Sequence, residues 1–352
     1  MAPDPHERTH DVTDSPGKKI VVTGATGNVG TSVVRLLSED PAIGSVVGLA
    51  RRVPDWSPPR TTWHAVDLEE DTDPVELFRG ADAVVHLAWK FQPARDPAVT
   101  WRTNVLGSAR VFEAVAAAGV PALVHASSVG AYSPGPDDRA VDESWPTHGW
   151  PGAAYTREKA YLERVLDTFE RDHPETRVVR MRPAFLFKRE SASEQRRIFG
   201  GRFLPGPLMR PETLPVVPDI PGLRFQALHT DDAAEAYRLA ALGDVRGAFN
   251  IAADPPLDAK VLGELFDARP VRLPSPVART GLAAAWALHL LPASPQLFDA
   301  VLRVPLLDCT RARTVLGWQP RHTAVEALEE LLAGMRRGAG ADTAPLQGHT
   351  VG

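Results

Sequence analysis

The chain has 352 residues, with 39 Lys and Arg against 44 Asp and Glu and 43% hydrophobic residues. That length allows one large domain or two ordinary ones, and a net charge of -5 leaves no overall basic field for nucleic acid or an anionic membrane. Its lone cysteine, Cys309, excludes an intramolecular disulfide framework and a multi-cysteine zinc site and fits a reducing cytoplasm.

Residues 1–17 are polar, carry Pro3, Pro5 and Pro16 and lack the apolar stretch of a signal peptide, so they read as a disordered tail. From Lys19 short β-branched runs alternate with helical spacing, the pattern of βαβ units around a parallel sheet. Strands are expected at 20–22, 45–49, 62–66, 83–87, 122–125 and 177–181. Helices are expected at 31–37, 75–78, 104–118 and 155–171, the third closed by Gly119 with Pro121 beyond. Residues 188–222 are rich in Pro, Gly and Arg and read as a long loop region rather than sheet. Thr230 or Asp231 is expected to cap a helix at 233–242, and 248–251 reads as a strand that returns to the main sheet. Residues 258–335 are mostly helical. The apolar run Gly281–Leu291 is half of the ~20 residues a membrane span needs and reads as a packed helix. Residues 336–352 are Gly-rich and polar and read as a second disordered tail. The expected architecture is therefore α/β, a Rossmann-type doubly wound parallel sheet over 18–182, with a smaller C-terminal substrate-binding subdomain over 183–335. No metal site is expected, and the chain should be cytoplasmic.

Two motifs carry chemistry. The first strand runs into Thr23-Gly24-Ala25-Thr26-Gly27-Asn28-Val29-Gly30, with glycines spaced G-x-x-G-x-x-G between strand and helix. Gly24 suits the tight turn, Gly27 lets the backbone approach a pyrophosphate, and Gly30 allows close helix–strand packing. A plain Gly-rich turn is the bland reading. The second motif is Tyr155-Thr156-Arg157-Glu158-Lys159, which places phenol and ammonium on one helix face. Tyrosine occurs four times, and lysine stands only at 18, 19, 90, 159, 188 and 260. A chance Tyr-x-x-x-Lys is then expected about 0.07 times. An unperturbed phenol titrates near ~10, too high for a base at neutral pH, and a nearby ammonium is expected to lower it. Ser127-Ser128, at the end of the fifth strand, offers a hydroxyl to the substrate oxygen.

Together with Asp67-Leu68, His86-Leu87-Ala88, Asn104 with Gly107, Arg182-Pro183, His229 with Asp232 and Leu316-Gly317-Trp318-Gln319-Pro320, these residues resemble the extended short-chain dehydrogenase/reductases of the NAD-dependent epimerase/dehydratase group. The resemblance runs over roughly 18 to 335. It implies that Tyr155 is the acid/base, that Lys159 lowers its pKa and binds the nicotinamide ribose, and that Ser128 orients the substrate oxygen. Asn104 would take a structural or relay role behind the active site. Gly24, Thr26, Gly27, Asn28, Val29 and Gly30 would hold the pyrophosphate. Asp67 would accept from the adenine amino group, Leu68 would line the adenine pocket, and Ala88 would let the backbone approach the cofactor. Leu87, Ser127, Arg182 and Pro183 complete the implied cofactor wall. The resemblance also allows a homodimer through helices around 104–118 and 155–171.

An NAD site usually places an acid at the end of the second strand, on the ribose 2′-OH. Here Ala50 is followed by Arg51-Arg52, which suit a 2′-phosphate or are simply solvated loop arginines. NADP(H) is therefore favoured and NAD(H) remains an alternative. Sugar-nucleotide 4,6-dehydratases carry Asp-Glu after the catalytic Ser/Thr, where this chain has Val129-Gly130. Sugar-nucleotide enzymes often have Asn three residues after the sixth-strand Arg, where Phe185 stands, and Arg four before the His, whereas Arg224 is five before His229. The arginines at 196, 197, 202 and 210 keep an anionic substrate open. The expected activity is carbinol/ketone interconversion on a small, partly apolar molecule. A sugar-nucleotide epimerase is the alternative, and a non-catalytic NADP-sensing protein the distant one.

Overall fold

The computed structural model describes residues 17–70, 73–91, 95–200 and 215–348. The expected N-terminal tail lies outside these residues except for Gly17. In chain order the elements are β1 (Lys18–Thr23), α1 (Asn28–Glu39), β2 (Ile43–Ala50), β3 (Thr61–Ala65), α2 (Val75–Phe78), β4 (Ala83–His86), α3 (Pro97–Trp101), α4 (Gly107–Ala117), β5 (Ala122–Ala126), α5 (Ala154–Asp172), β6 (Arg177–Pro183) and β7 (Phe185–Phe187). They continue with α6 (Ala192–Gln195), β8 (Val216–Asp219), β9 (Ala227–His229), α7 (Thr230–Leu242), β10 (Gly247–Ile251), α8 (Ala259–Phe266), β11 (Arg269–Arg272), α9 (Ser275–Ala287), α10 (Pro295–Val301), α11 (Thr310–Thr314) and α12 (Ala324–Arg337).

Seven strands form one parallel sheet in the order β10-β6-β5-β4-β1-β2-β3. Side chains alternate across it as the two-residue strand period demands. Ile20 and Val22 join the core beneath α1, α7 and α12, while Val21 faces α4 and α5. Val84 and Val85, Leu123 and Val124, and Val178 and Val179 divide the same way. Both faces are covered, which is why the strands read as near-continuous apolar runs. The strand order reverses between β1 and β4, and the crevice beyond their carboxyl ends is where such sheets bind ligands. Two small parallel sheets, β7-β9 and β8-β11, lie in the C-terminal half.

Three expectations are corrected. The helix at 104–118 begins at Pro97, where Asp96 accepts the Ala98 N–H at 3.1 Å, and runs through a π-helical turn at Arg102–Leu106 into α4. The cap of α7 is the His229 ring, whose Nδ1 accepts the Asp231 N–H at 3.2 Å, rather than Thr230 or Asp231. The C-terminal tail is ordered through Gly348. Thr343 and Leu346 are buried, and Thr343 Oγ1 donates to the Thr26 carbonyl at 2.9 Å. Burial of the apolar Leu346 and the Thr343 hydrogen bond offset the ordering cost that composition alone suggests would win. Within the region expected to be loop, 188–222, the described residues include α6 and the short strand β8.

Candidate active site

Gly24 takes φ +66°, and a Cβ there would lie 2.6 Å from the Ala88 amide nitrogen. The loop can therefore press directly on the end of β4 only without a side chain. A Cβ on Gly30 would lie 2.7 Å from Ala25 Cα. Gly27 is the N-cap of α1 and offers no side-chain cap, and the helix's first hydrogen bond runs from the Thr31 N–H to the Gly27 carbonyl at 3.0 Å. The Asn28, Val29 and Gly30 amides thus precede the intrahelical bonds, and all three residues line a cavity of about 240 Å³. Unpaired amides at a helix N-terminus, at a sheet switch point, fit a dinucleotide pyrophosphate. Gly30→Ala should weaken binding of the reduced dinucleotide, NADH or NADPH, at least tenfold in a fluorescence titration, because the loop cannot keep its path with that methyl in place; unchanged affinity would remove the packing role.

The same cavity reaches Ser128, Tyr155 and Lys159. Ser128 follows β5, and its Oγ accepts the Gly130 N–H at 2.9 Å and the Tyr155 hydroxyl at 2.8 Å. Lys159, one turn along α5, donates to the Ala126 carbonyl at 2.7 Å, and its Nζ lies 3.3 Å from the centroid of the Trp89 ring. Phe91 stacks on Tyr155 at 4.9 Å with an interplanar angle of 15°. The electrostatics differ from the sequence expectation. Burial pushes the Tyr155 phenol up to about 12, eased by the Ser128 hydrogen bond and reinforced by the nearby Glu158 carboxylate. Lys159 lies 6.0 Å from the Tyr155 ring centroid, and burial pulls its ammonium down to about 7 against the pull of Glu158 and Glu163. Desolvation exceeds the charge–charge effect, so the free site holds a phenol and not a phenolate.

Asn104 sits in the π-helical turn, and its side-chain hydrogen bonds go to neither Tyr155 nor Lys159. Its Oδ1 accepts the Lys90 N–H at 2.7 Å, and its Nδ2 donates to the Lys90 carbonyl at 2.9 Å and to Glu158 Oε2 at 2.7 Å. It ties the segment after β4 to α5, which makes it a positioning residue.

Other expected cofactor residues fall into two groups. Leu87, Ser127 and Pro183 line the cavity, although Ser127 Oγ is bonded to Glu163 at 2.6 Å. Arg182 does not face the cavity. Its Nε and Nη2 grip Glu163 at 2.9 and 2.8 Å, and its Nη1 reaches the Tyr132 hydroxyl and the Glu143 carbonyl at 3.0 and 2.9 Å. The Asn28 side chain also serves the fold, donating to the Leu186 carbonyl and accepting from Thr230 Oγ1. Thr26 is buried under the C-terminal segment. At the adenosine end Arg51 and Arg52 are exposed where β2 ends, and Arg51 acts on the Glu69 carboxylate. Asp67 accepts the Glu69 N–H at 3.0 Å. Leu68 is buried with the core under α4 and Ala88 is half-buried. Arg224 is held by the Pro136 and Asp137 carbonyls. Arg202 and Arg210 lie outside the described residues. Sequence reasoning missed Phe91, Lys188, Glu194 and the α10 side chains, and of these only the scarcity of lysine pointed at one.

The doubly wound sheet and its glycine-rich first turn define a Rossmann-type NAD(P)-binding protein. The chain belongs to the NAD-dependent epimerase/dehydratase family, a family of enzymes, whose model matches residues 20–252. An uncharacterized protein of Mycobacterium tuberculosis is 28% identical over 335 residues, which cover 90% of this chain and 84% of that one. L-arabinose 1-dehydrogenase (NAD(P)(+)) of Haloferax volcanii is 33% identical over 110 residues, 31% of this chain and 41% of the enzyme. Among solved structures, UDP-glucose 4-epimerase of Thermotoga maritima with UDP-glucose has a TM-score of 0.66 at 22% identity, covering 90% of this chain and 98% of that one. Among the described residues no helix is long and apolar enough to cross a membrane, and no cluster of three or more His, Cys, Asp or Glu could hold a metal.

Proposed function

We propose that the protein is an NADP(H)-dependent oxidoreductase that interconverts a carbinol and a ketone on a small apolar molecule, with Tyr155 as the acid/base. What carries this reading is the apolar lining of the cavity that holds Tyr155, which includes Phe91, Phe185, Ile198, Phe199, Leu297 and Val301. Such a lining favours apolar area and offers few partners to a sugar's hydroxyls. Arg224, turned to the loop at 136–137, and Phe185, in the cavity, both tell against a sugar-nucleotide diphosphate.

The dinucleotide, when bound, supplies or accepts the hydride. The chain's own residues handle the proton and the geometry. Ser128 Oγ already accepts two hydrogen bonds, so its own hydrogen is free for a substrate oxygen. Tyr155, kept protonated by burial, can give its proton to that oxygen as a ketone is reduced. Asn104 and Glu158 fix the segment bearing Trp89 and Phe91 against α5.

The preference for NADP(H) rests on β2 ending in Ala50 with Arg51-Arg52 next and no acid between. Hydrogen bonds to charged groups contribute about 1.5–3 kcal/mol, so Arg51→Ala should raise the NADPH Kd about 10- to 100-fold and leave NADH within about twofold. Equal losses would remove the 2′-phosphate argument. Denaturing the purified protein should release no stoichiometric NAD; tight NAD that co-purifies would favour the epimerase reading.

A further inference from the structure

Glu194 is the only carboxylate among the described residues that line the cavity. No step above uses it. It lies on α6, one helical turn before Ile198, and among the described residues its carboxylate accepts no side-chain hydrogen bond. Two charges act on it, Arg197 on its own segment and Lys188 just ahead of α6. Lys188 is buried, and its Nζ donates to the Asn28 carbonyl at 2.7 Å, Thr31 Oγ1 at 2.7 Å and Ser32 Oγ at 2.9 Å. Lys188, one of the two cations that act on Glu194, is therefore locked to the first turn of α1, where the pyrophosphate would sit. Around Lys188 stand Asp231 from α7, Glu190 from its own turn and Arg35 from α1. The turn carrying Glu194 meets α12 through Gly334, against Arg189 and Ala192. Lys159 and Tyr155 line the same cavity.

We infer that Glu194 is a cofactor-linked proton site: entry of a dinucleotide drives one proton from solvent onto its carboxyl, which then faces the bound pyrophosphate as a neutral acid. Burial already lifts this carboxyl to about 7, against the opposing pull of Arg197 and Lys188. A second negative charge in the same low-dielectric space lifts it further. By linkage, binding that favours the protonated form weakens as pH rises above the free-state value. The inference rests on the dinucleotide reading above and adds a proton to it.

NADH is the right probe, because the NADPH 2′-phosphate itself titrates near ~6, as phosphomonoesters do. Calorimetric titration of the full chain with NADH at pH 8, in two buffers of different ionisation enthalpy, should show uptake of most of one proton. The Kd should rise about tenfold per pH unit above neutrality. Lys159 also titrates near 7, and its charge pulls the same way. Glu194→Gln should therefore lose more than half of the uptake and bind NADH more tightly at pH 8, while Lys159→Met keeps at least half. Wild-type binding without uptake, full uptake in Glu194→Gln, or its disappearance in Lys159→Met would each overturn the proton site and leave the dinucleotide reading standing. Failure of both NADH and NADPH to bind at any pH would overturn both.

Discussion

Tyr155→Phe should lower kcat for NADPH-dependent ketone reduction by about 10²- to 10⁴-fold, the range removed with a positioned general acid. The phenol hydroxyl makes one hydrogen bond, to Ser128 Oγ at 2.8 Å, and Ser128 keeps the Gly130 N–H at 2.9 Å when that bond is lost. Phe91 stacks on the ring and not on the hydroxyl, so phenylalanine can keep the same place. Folding and NADPH affinity should therefore change little, and the loss should fall on kcat with the NADPH Kd within about threefold. Steady-state kinetics on a panel of apolar ketones, with a separate NADPH titration, makes the test. A variant that keeps wild-type kcat would remove Tyr155 from the chemistry. One that loses NADPH binding would recast the phenol as part of the cofactor site. Ser128→Ala should cost less in kcat, since it removes a hydrogen bond to the substrate oxygen and leaves the proton donor in place.

Much of the architecture was legible because it depends on local periodicity. The seven expected strands of the main sheet fall within a few residues of their observed bounds, as do the helices between them except the one expected at 104–118, and the glycine spacing located the crevice before any coordinate did. What stayed hidden depends on partners far along the chain. Lys188 reads as a loop lysine until its ammonium is seen on Thr31 and Ser32, more than 150 positions away. Asn28 belongs to a cofactor motif, yet its side chain is spent on Leu186 and Thr230. The tyrosine–lysine spacing correctly put two groups on one face of α5. It could not give the balance between burial and attraction that leaves the phenol protonated.

Arg182 is the clearest such case, and it sets the largest expected change in stability. Glu163 is 1% exposed and its carboxylate accepts four donors: Ser127 Oγ at 2.6 Å, Arg182 Nε at 2.9 Å and Nη2 at 2.8 Å, and Arg180 Nη1 at 3.1 Å. Burial alone would raise this carboxyl, but the Arg182 fork, Ser127 and Arg180 together hold it at about 2. Breaking a buried pair from one side leaves an uncompensated charge and costs about 3–5 kcal/mol. Glu163→Gln should therefore destabilise the fold by about that much, because its amide presents hydrogens to two buried guanidinium groups. Arg182→Met should cost less, since Arg180 and Ser127 still serve Glu163. The double variant should fall short of the sum, as residues sharing one network do. The folded carboxyl titrates below its usual value, so its stabilisation is complete above about pH 4.5 and fades as pH falls through about 2. Urea unfolding at pH 7 and pH 3 measures both effects. The NADPH Kd of Arg182→Met decides between the two roles given to this arginine: an unchanged value leaves it as the brace beneath the Ser127-Ser128 turn, and a large loss would return it to the cofactor wall.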